Sequence, residues 1–145
     1  MKLPSKVMLG LGGVLVLIQL VRPAQENPAV TGAIQTPPEV MTLLKRSCWD
    51  CHSNETVWPW YSQVAPMSWL VAKDVKDGRR HLNFSEWQGY EDGRKLKKLK
   101  EIGEEVEEGE MPMEFYVPLH PEAKLTAAEK TVLVEWAKSA PSATP

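Results

Sequence analysis

Cysteine is nearly absent from this chain. There are two, Cys48 and Cys51, three positions apart. That excludes a four-cysteine zinc site and any disulfide framework of more than one bridge. An excess of either charge is missing as well. Seventeen basic against 19 acidic residues leave a formal net charge of -2, without the basic face that nucleic-acid binding requires, so no nucleic-acid partner is expected. Alternating polar and apolar runs of useful length do not occur, nor do internal repeats, which leaves strands without a pattern. What is plentiful is proline (12), glycine (9) and tryptophan (6). The first two imply short helices joined by ordered loop. The tryptophans could line a bulky apolar object, since each ring buries a large area. The length of 145 residues suits one domain with a terminal extension.

The amino terminus reads as an export segment. Lys2 and Lys6 precede Val7 to Val21, 15 residues without a charge. The run is short beside the about 20 residues of a full span and long for a signal core. No small-x-small cleavage site follows, because Arg22-Pro23 closes it. An uncleaved anchor over residues 1–22 is the expectation and a removed signal is the alternative. Both export the rest of the chain, and the positive-inside rule puts the lysines in the cytoplasm. Residues 23–35, with Pro23, Pro28 and Gly32 and no period, read as a linker. Residues 36–140 read as the folded domain.

Within that domain the spacing predicts helices only. Thr36-Pro37-Pro38-Glu39 is a capping box, and Val40, Leu43, Leu44 and Ser47 mark the inward face of the helix after it. A second helix is predicted over about 66–80, with Met67, Leu70, Val71 and Val75 on one side. Ser85-Glu86-Trp87-Gln88 is another capping box, opening a stretch continued by Leu96, Leu99, Ile102 and Val106. Gly93 and Gly103 weaken this stretch and Gly109 ends it. Thr126-Ala127-Ala128-Glu129 opens a last helix to about Ser139, with Val132, Leu133 and Trp136 inward. The basic run from Arg94 to Lys100 and the acidic run from Glu101 to Glu110 oppose the helix dipole. They read as a solvated face with pairs such as Lys97 and Glu101, or as a partner-docking feature.

Cys48-Trp49-Asp50-Cys51-His52 is the c-type haem attachment signature. Two thiols one helical turn apart can add to the two haem vinyl groups as thioethers, and the adjacent imidazole then seats beneath the iron as an axial ligand. One covalent haem c is therefore expected on Cys48, Cys51 and His52. A zinc site would need further ligands, and His81 and His120 have no finger spacing. A thioredoxin-like pair would need a βαβ context, and a structural disulfide remains open. For the sixth ligand, methionine is common in electron-transfer cytochromes. Met111 is the expected one, in the Glu110–Pro121 loop, with Met113 next and His120 as a bis-histidine alternative. Trp58, Trp60, Tyr61 and Trp69 are candidates for the haem wall, and Arg79 or Arg80 for the propionates.

The segments Cys48 to Asn54, Thr56 to Ser62 (Thr-Val-Trp-Pro-Trp-Tyr-Ser) and Ala65 to Leu70 resemble a bacterial family of small exported haem-binding domains with one Cys-x-x-Cys-His. Asp74-Val75, Gly78-Arg79, Leu82 to Trp87, Gly109 to Pro112 and Leu119 to Ala123 match it too. The resemblance covers roughly residues 36–140. It departs at Met113, where the family leads one to expect proline. It implies an all-α, cytochrome c-like fold. It also implies haem binding; with the export segment, the expectation is a monohaem protein on the periplasmic side of the inner membrane that passes single electrons between periplasmic or membrane redox partners. A peroxidase-like haem enzyme or a haem sensor with a labile distal ligand is the alternative.

Overall fold

The computed structural model describes residues 4–139. Lys2, the expected domain end at residue 140 and the tail after Pro141 lie outside the described residues. Six α-helices follow in order: α1 (Ser5–Ile18), α2 (Pro38–Ser47), α3 (Trp49–His52), α4 (Met67–His81), α5 (Asp92–Glu108) and α6 (Ala127–Ser139). Short 3-10 turns lie at Trp60–Gln63, Phe84–Gly89 and Pro121–Ala123. No strand forms among the described residues, so the class is all-α, as the periodicity predicts.

Helix α2 buries Val40, Leu43, Leu44 and Ser47, the face read from their spacing. Its start differs from the expected box. Pro37 is the cap residue, and the Thr36 hydroxyl turns to the Pro37 carbonyl at 3.3 Å. With proline at both 37 and 38, the first N–H the helix can offer is that of Glu39. The box at Thr126 does close: Thr126 N and Oγ1 donate to Glu129 Oε2 at 2.8 and 2.9 Å, and Glu129 N donates to Thr126 Oγ1 at 3.3 Å.

The long helix predicted from Ser85 is divided in two. Asn83 caps the Phe84–Gly89 turn, its Oδ1 accepting from Ser85 N at 3.0 Å, and the chain leaves helical geometry at Tyr90 before α5 begins. The Ser85 hydroxyl instead accepts from Asn54 N at 2.9 Å. Helix α5 passes through Gly93 and Gly103 unbroken and stops at Gly109, whose φ of 83° is left-handed and suits glycine. Its opposed charge runs are spent on exposed pairs, Lys97–Glu101 at 3.8 Å, Lys100–Glu104 at 3.3 Å and Lys138–Glu107 at 3.3 Å, the solvated reading of that face.

Helix α5 lies on α6, α2 on α6, and α3 on α4. Leu44, Phe84, Val106 and Leu133 are among the side chains at the centre of the core. On α6, Leu133, Val134 and Ala137 are buried, whereas Val132 and Trp136 are half-buried. On α4, Ser68 and Val75 are buried, but Met67 and Leu70 reach the surface, so the predicted apolar side is only partly covered.

Residues 22–36 are not slack. Thr31 N and Gly32 N both donate to Ser85 O at 3.1 and 3.0 Å, and Ile34 N donates to Phe84 O at 2.8 Å. Asn54 Nδ2 donates to Ala29 O at 3.0 Å. Ile34 is 3% exposed and belongs to the core. The stretch predicted as a linker is a strap. It shows no period because it contributes single residues and backbone groups rather than a face.

Helix α1 buries none of its side chains. No described helix is long and apolar enough to cross a membrane.

Candidate functional site

The turn from α2 into α3 sets the position of Cys48, Cys51 and His52. Cys48 leaves helical geometry at φ -131° and ψ -26°, and α3 then carries both Cys51 and His52 in a single turn. Helix α4 lies close against that turn. A Cβ on Gly78 would stand 2.5 Å from the Cys51 carbonyl oxygen, so only glycine permits the approach. His52 Nδ1 then lies 3.1 Å from both the Gly78 and Leu82 carbonyls. Carbonyls only accept, so Nδ1 carries the proton, and the Nε2 lone pair is left free for a metal. Burial pushes the imidazole pKa below its ordinary value, which keeps the ring neutral. Loss of hydration pushes both half-buried thiols up to about 12, with the Cys51 thiol adding to the effect on Cys48, and Asp50 and Asp74 to that on Cys51.

These three side chains open onto one cleft of about 350 Å³. Its apolar lining includes Leu82, Phe84, Ile102 and Val106. Met111, Pro112 and Met113 come in from the loop after α5, and Tyr116 lies beyond them. Lys98, whose ammonium is 2.6 Å from Glu101, and His81 bring charge and polarity to the lining. The Ser47 hydroxyl also faces the cleft and is buried without a hydrogen-bond partner.

A second, smaller hollow of about 50 Å³ shares Asp50, Cys51, Asp74, Met113 and Tyr116 with the cleft and adds Tyr61 and His120. Here His120 is fully engaged. Its Nε2 is 2.6 Å from the Tyr61 hydroxyl, its Nδ1 is 3.2 Å from Glu122, and its ring stacks on Tyr116 at 4.1 Å and 9°. The Tyr116 hydroxyl donates to Asp50 Oδ2 at 3.1 Å, while Asp50 Oδ1 accepts from Val57 N at 2.9 Å. Burial, with the Asp50 carboxylate next, raises the Tyr116 pKa and keeps its proton in place.

The predicted site residues therefore separate. Cys48, Cys51, His52, Met111 and Met113 converge on the large cleft. Tyr61 lines the smaller hollow. Trp58, Trp60, Trp69 and Arg79 line neither. Trp60 is 80% exposed, and Trp69 sends its Nε1 proton to the Val21 carbonyl at 2.8 Å. Arg79 is taken up by structure. Its guanidinium donates to Ser53 O and Glu26 O at 2.7 Å, and to Thr56 Oγ1 and Asn27 Oδ1 at 2.8 and 2.9 Å. Arg80 pairs with Asp77 at 3.2 Å on the surface. The wall of the cleft comes instead from Phe84, Ile102, Val106 and Tyr116, which motif reading passes over. Tyr116 had one usable signal: it stands four positions before His120, the spacing that stacks two rings in a helical turn.

The donor set suits haem. Two thiols, a neutral imidazole with Nε2 free and a methionine pair lie around one largely apolar cleft, and the unpartnered Ser47 hydroxyl offers a polar contact there. Comparison with known proteins agrees. A family model described as a haem-binding domain matches residues 13–139. No curated protein and no solved structure matches the chain.

Proposed function

This chain belongs to the haem-binding domain family, and from that membership we propose that it is a monohaem c-type electron carrier on the periplasmic side of the inner membrane. Haem supplies an iron that takes up and gives back one electron. The chain's own residues do the rest. Cys48 and Cys51 would hold the group by adding S–H across its vinyl groups, each S–C bond forming as the thiol hydrogen goes to the neighbouring carbon, with no net oxidation. His52 would offer Nε2 to the iron while Gly78 and Leu82 hold its other nitrogen. Met111 is the proposed sixth ligand and Met113 the second choice. Both stand in the same cleft as His52. Phe84, Ile102 and Val106 exclude water, which favours retention of a bulky apolar group.

The observation that carries this reading is the His52 ring. It is half-buried, kept neutral by loss of hydration and tied at Nδ1 by two carbonyls, beside two cysteines that form no disulfide. A carrier also fits His120 better than a peroxidase-like enzyme does, because His120 is bonded to Tyr61 and lines the smaller hollow. The partners are redox proteins that meet the domain at the membrane surface, where the amino-terminal segment holds it.

The test is expression with a haem-maturation system in the periplasm. Expected are a Soret band, a c-type pyridine haemochrome and a mass increment of one haem, all lost in a Cys48→Ala, Cys51→Ala chain. A weak red-end band from sulfur–iron ligation should vanish in Met111→Ala and persist in Met113→Ala. Absence of any mass increment overturns the covalent reading. Rapid binding of carbon monoxide or cyanide by the wild type favours an enzyme or sensor instead.

A further inference from the structure

The end of α1 is locked to the domain. The Gln19 side-chain amide donates to Ala65 O at 3.1 Å and accepts from Ala65 N at 2.9 Å, a two-point clamp on one residue. Two residues later the Val21 carbonyl accepts from the Trp69 indole at 2.8 Å. The helix before this clamp carries no charge from Val7 onward and buries none of its side chains, with only Ile18 at its end half-covered. A helix apolar on every side is stable only in an apolar medium. Fourteen residues at about 1.5 Å each rise about 21 Å, whereas a bilayer's hydrocarbon core is about 30 Å thick. A segment that is too short is met by local thinning of the bilayer, which brings the headgroup zone onto its flanks. The flank here is apolar and aromatic: Trp60 is 80% exposed, Val64 48% and Trp69 37%. Lys6 and Arg22 bracket the run, and no acid follows before Glu26, which suits anionic headgroups.

We infer that the Trp60–Trp69 face of the domain lies in the headgroup zone of a lipid bilayer, held there at a fixed orientation by the Gln19–Ala65 clamp. Indole rings favour that zone because one edge is apolar and the N–H is polar. The inference rests on the proposal that the amino-terminal segment is membrane-held.

The test uses full-chain holoprotein in phosphatidylcholine–phosphatidylglycerol vesicles, with a spin label at Val64→Cys and a reference label at Lys138→Cys on α6, which packs on α2 and α5. Power saturation reads collision with oxygen, which prefers lipid, against a nickel chelate, which stays in water. The expected result is a several-fold higher oxygen-to-chelate ratio at position 64 than at 138, falling toward the reference in Gln19→Ala while the chain still floats with the vesicles. Equal ratios in a chain that floats overturn the inference and leave the anchor standing. Spin–spin broadening at position 64 also overturns it, because the face would then meet a second copy. A chain that does not float overturns the anchor, and the inference with it.

Discussion

At the residue scale, Gly78 is the position on which the site turns. It lets α4 come close to Cys51, and its carbonyl accepts from His52. In Gly78→Ala the added methyl meets backbone, at 2.5 Å from the Cys51 oxygen, and backbone cannot swing aside as a side chain can. The expected cost is about 1–3 kcal/mol, the range for overpacking a tight contact, seen as a lower thermal midpoint of the apoprotein. It should be accompanied by lower haem occupancy from the same expression. A midpoint equal to wild type would show that α3 and α4 separate freely. The family resemblance marks Gly78-Arg79, but neither spacing nor composition says what Gly78, one glycine among nine, is for. Its role comes from a contact across 27 positions, which periodicity does not carry. By contrast, Cys48, Cys51 and His52 are legible at once, because the chemistry of attachment needs them adjacent in the chain. Trp60 and Trp69 suggest a haem wall by their size, but size does not say which side of an aromatic loop faces inward.

At the scale of elements, the capping boxes show what local patterns can and cannot decide. The one at Thr126 closes because Ala127 and Ala128 leave the first turn unobstructed. The one at Thr36 is displaced by two prolines, and the one at Ser85 loses its hydroxyl to Asn54. Amphipathic faces were legible where a helix buries its whole apolar side, as α2 does, and less so on α4, where Met67 and Leu70 reach the surface. The Thr126 box yields a pH prediction. The Thr126 backbone N–H, and then Arg46 at 2.8 Å, hold the Glu129 carboxyl below its ordinary value of 4.5. A lowered folded-state pKa means the carboxylate stabilises the fold above the ordinary value, and that contribution is lost as pH falls through the folded value. Denaturant midpoints measured on either side of 4.5 should therefore drop less in Glu129→Gln than in wild type, since the amide has no proton to take up. Parallel pH profiles would remove the carboxylate from any part in α6 stability.

For the molecule as a whole, the strap over residues 22–36 carries part of the fold. A chain starting at Thr36 loses the Ile34 side chain from the core, worth about 1.5–3 kcal/mol by burial alone, and strips Arg79 of its Glu26 and Asn27 partners. Its urea midpoint should lie clearly below that of a chain starting at Arg22. Coincident curves would mean that the strap only rests on the surface.

The same strap limits how far the cofactor could travel. Fifteen slack residues would give a tethered domain a roaming radius of roughly 20 Å, enough to shuttle between a donor and an acceptor standing apart. Here backbone bonds to Phe84 and Ser85 take up that slack. On the proposed function the domain is a relay post rather than a courier: traffic must arrive by lateral diffusion of its correspondents, and turnover should follow their crowding in the membrane plane, not the length of any leash.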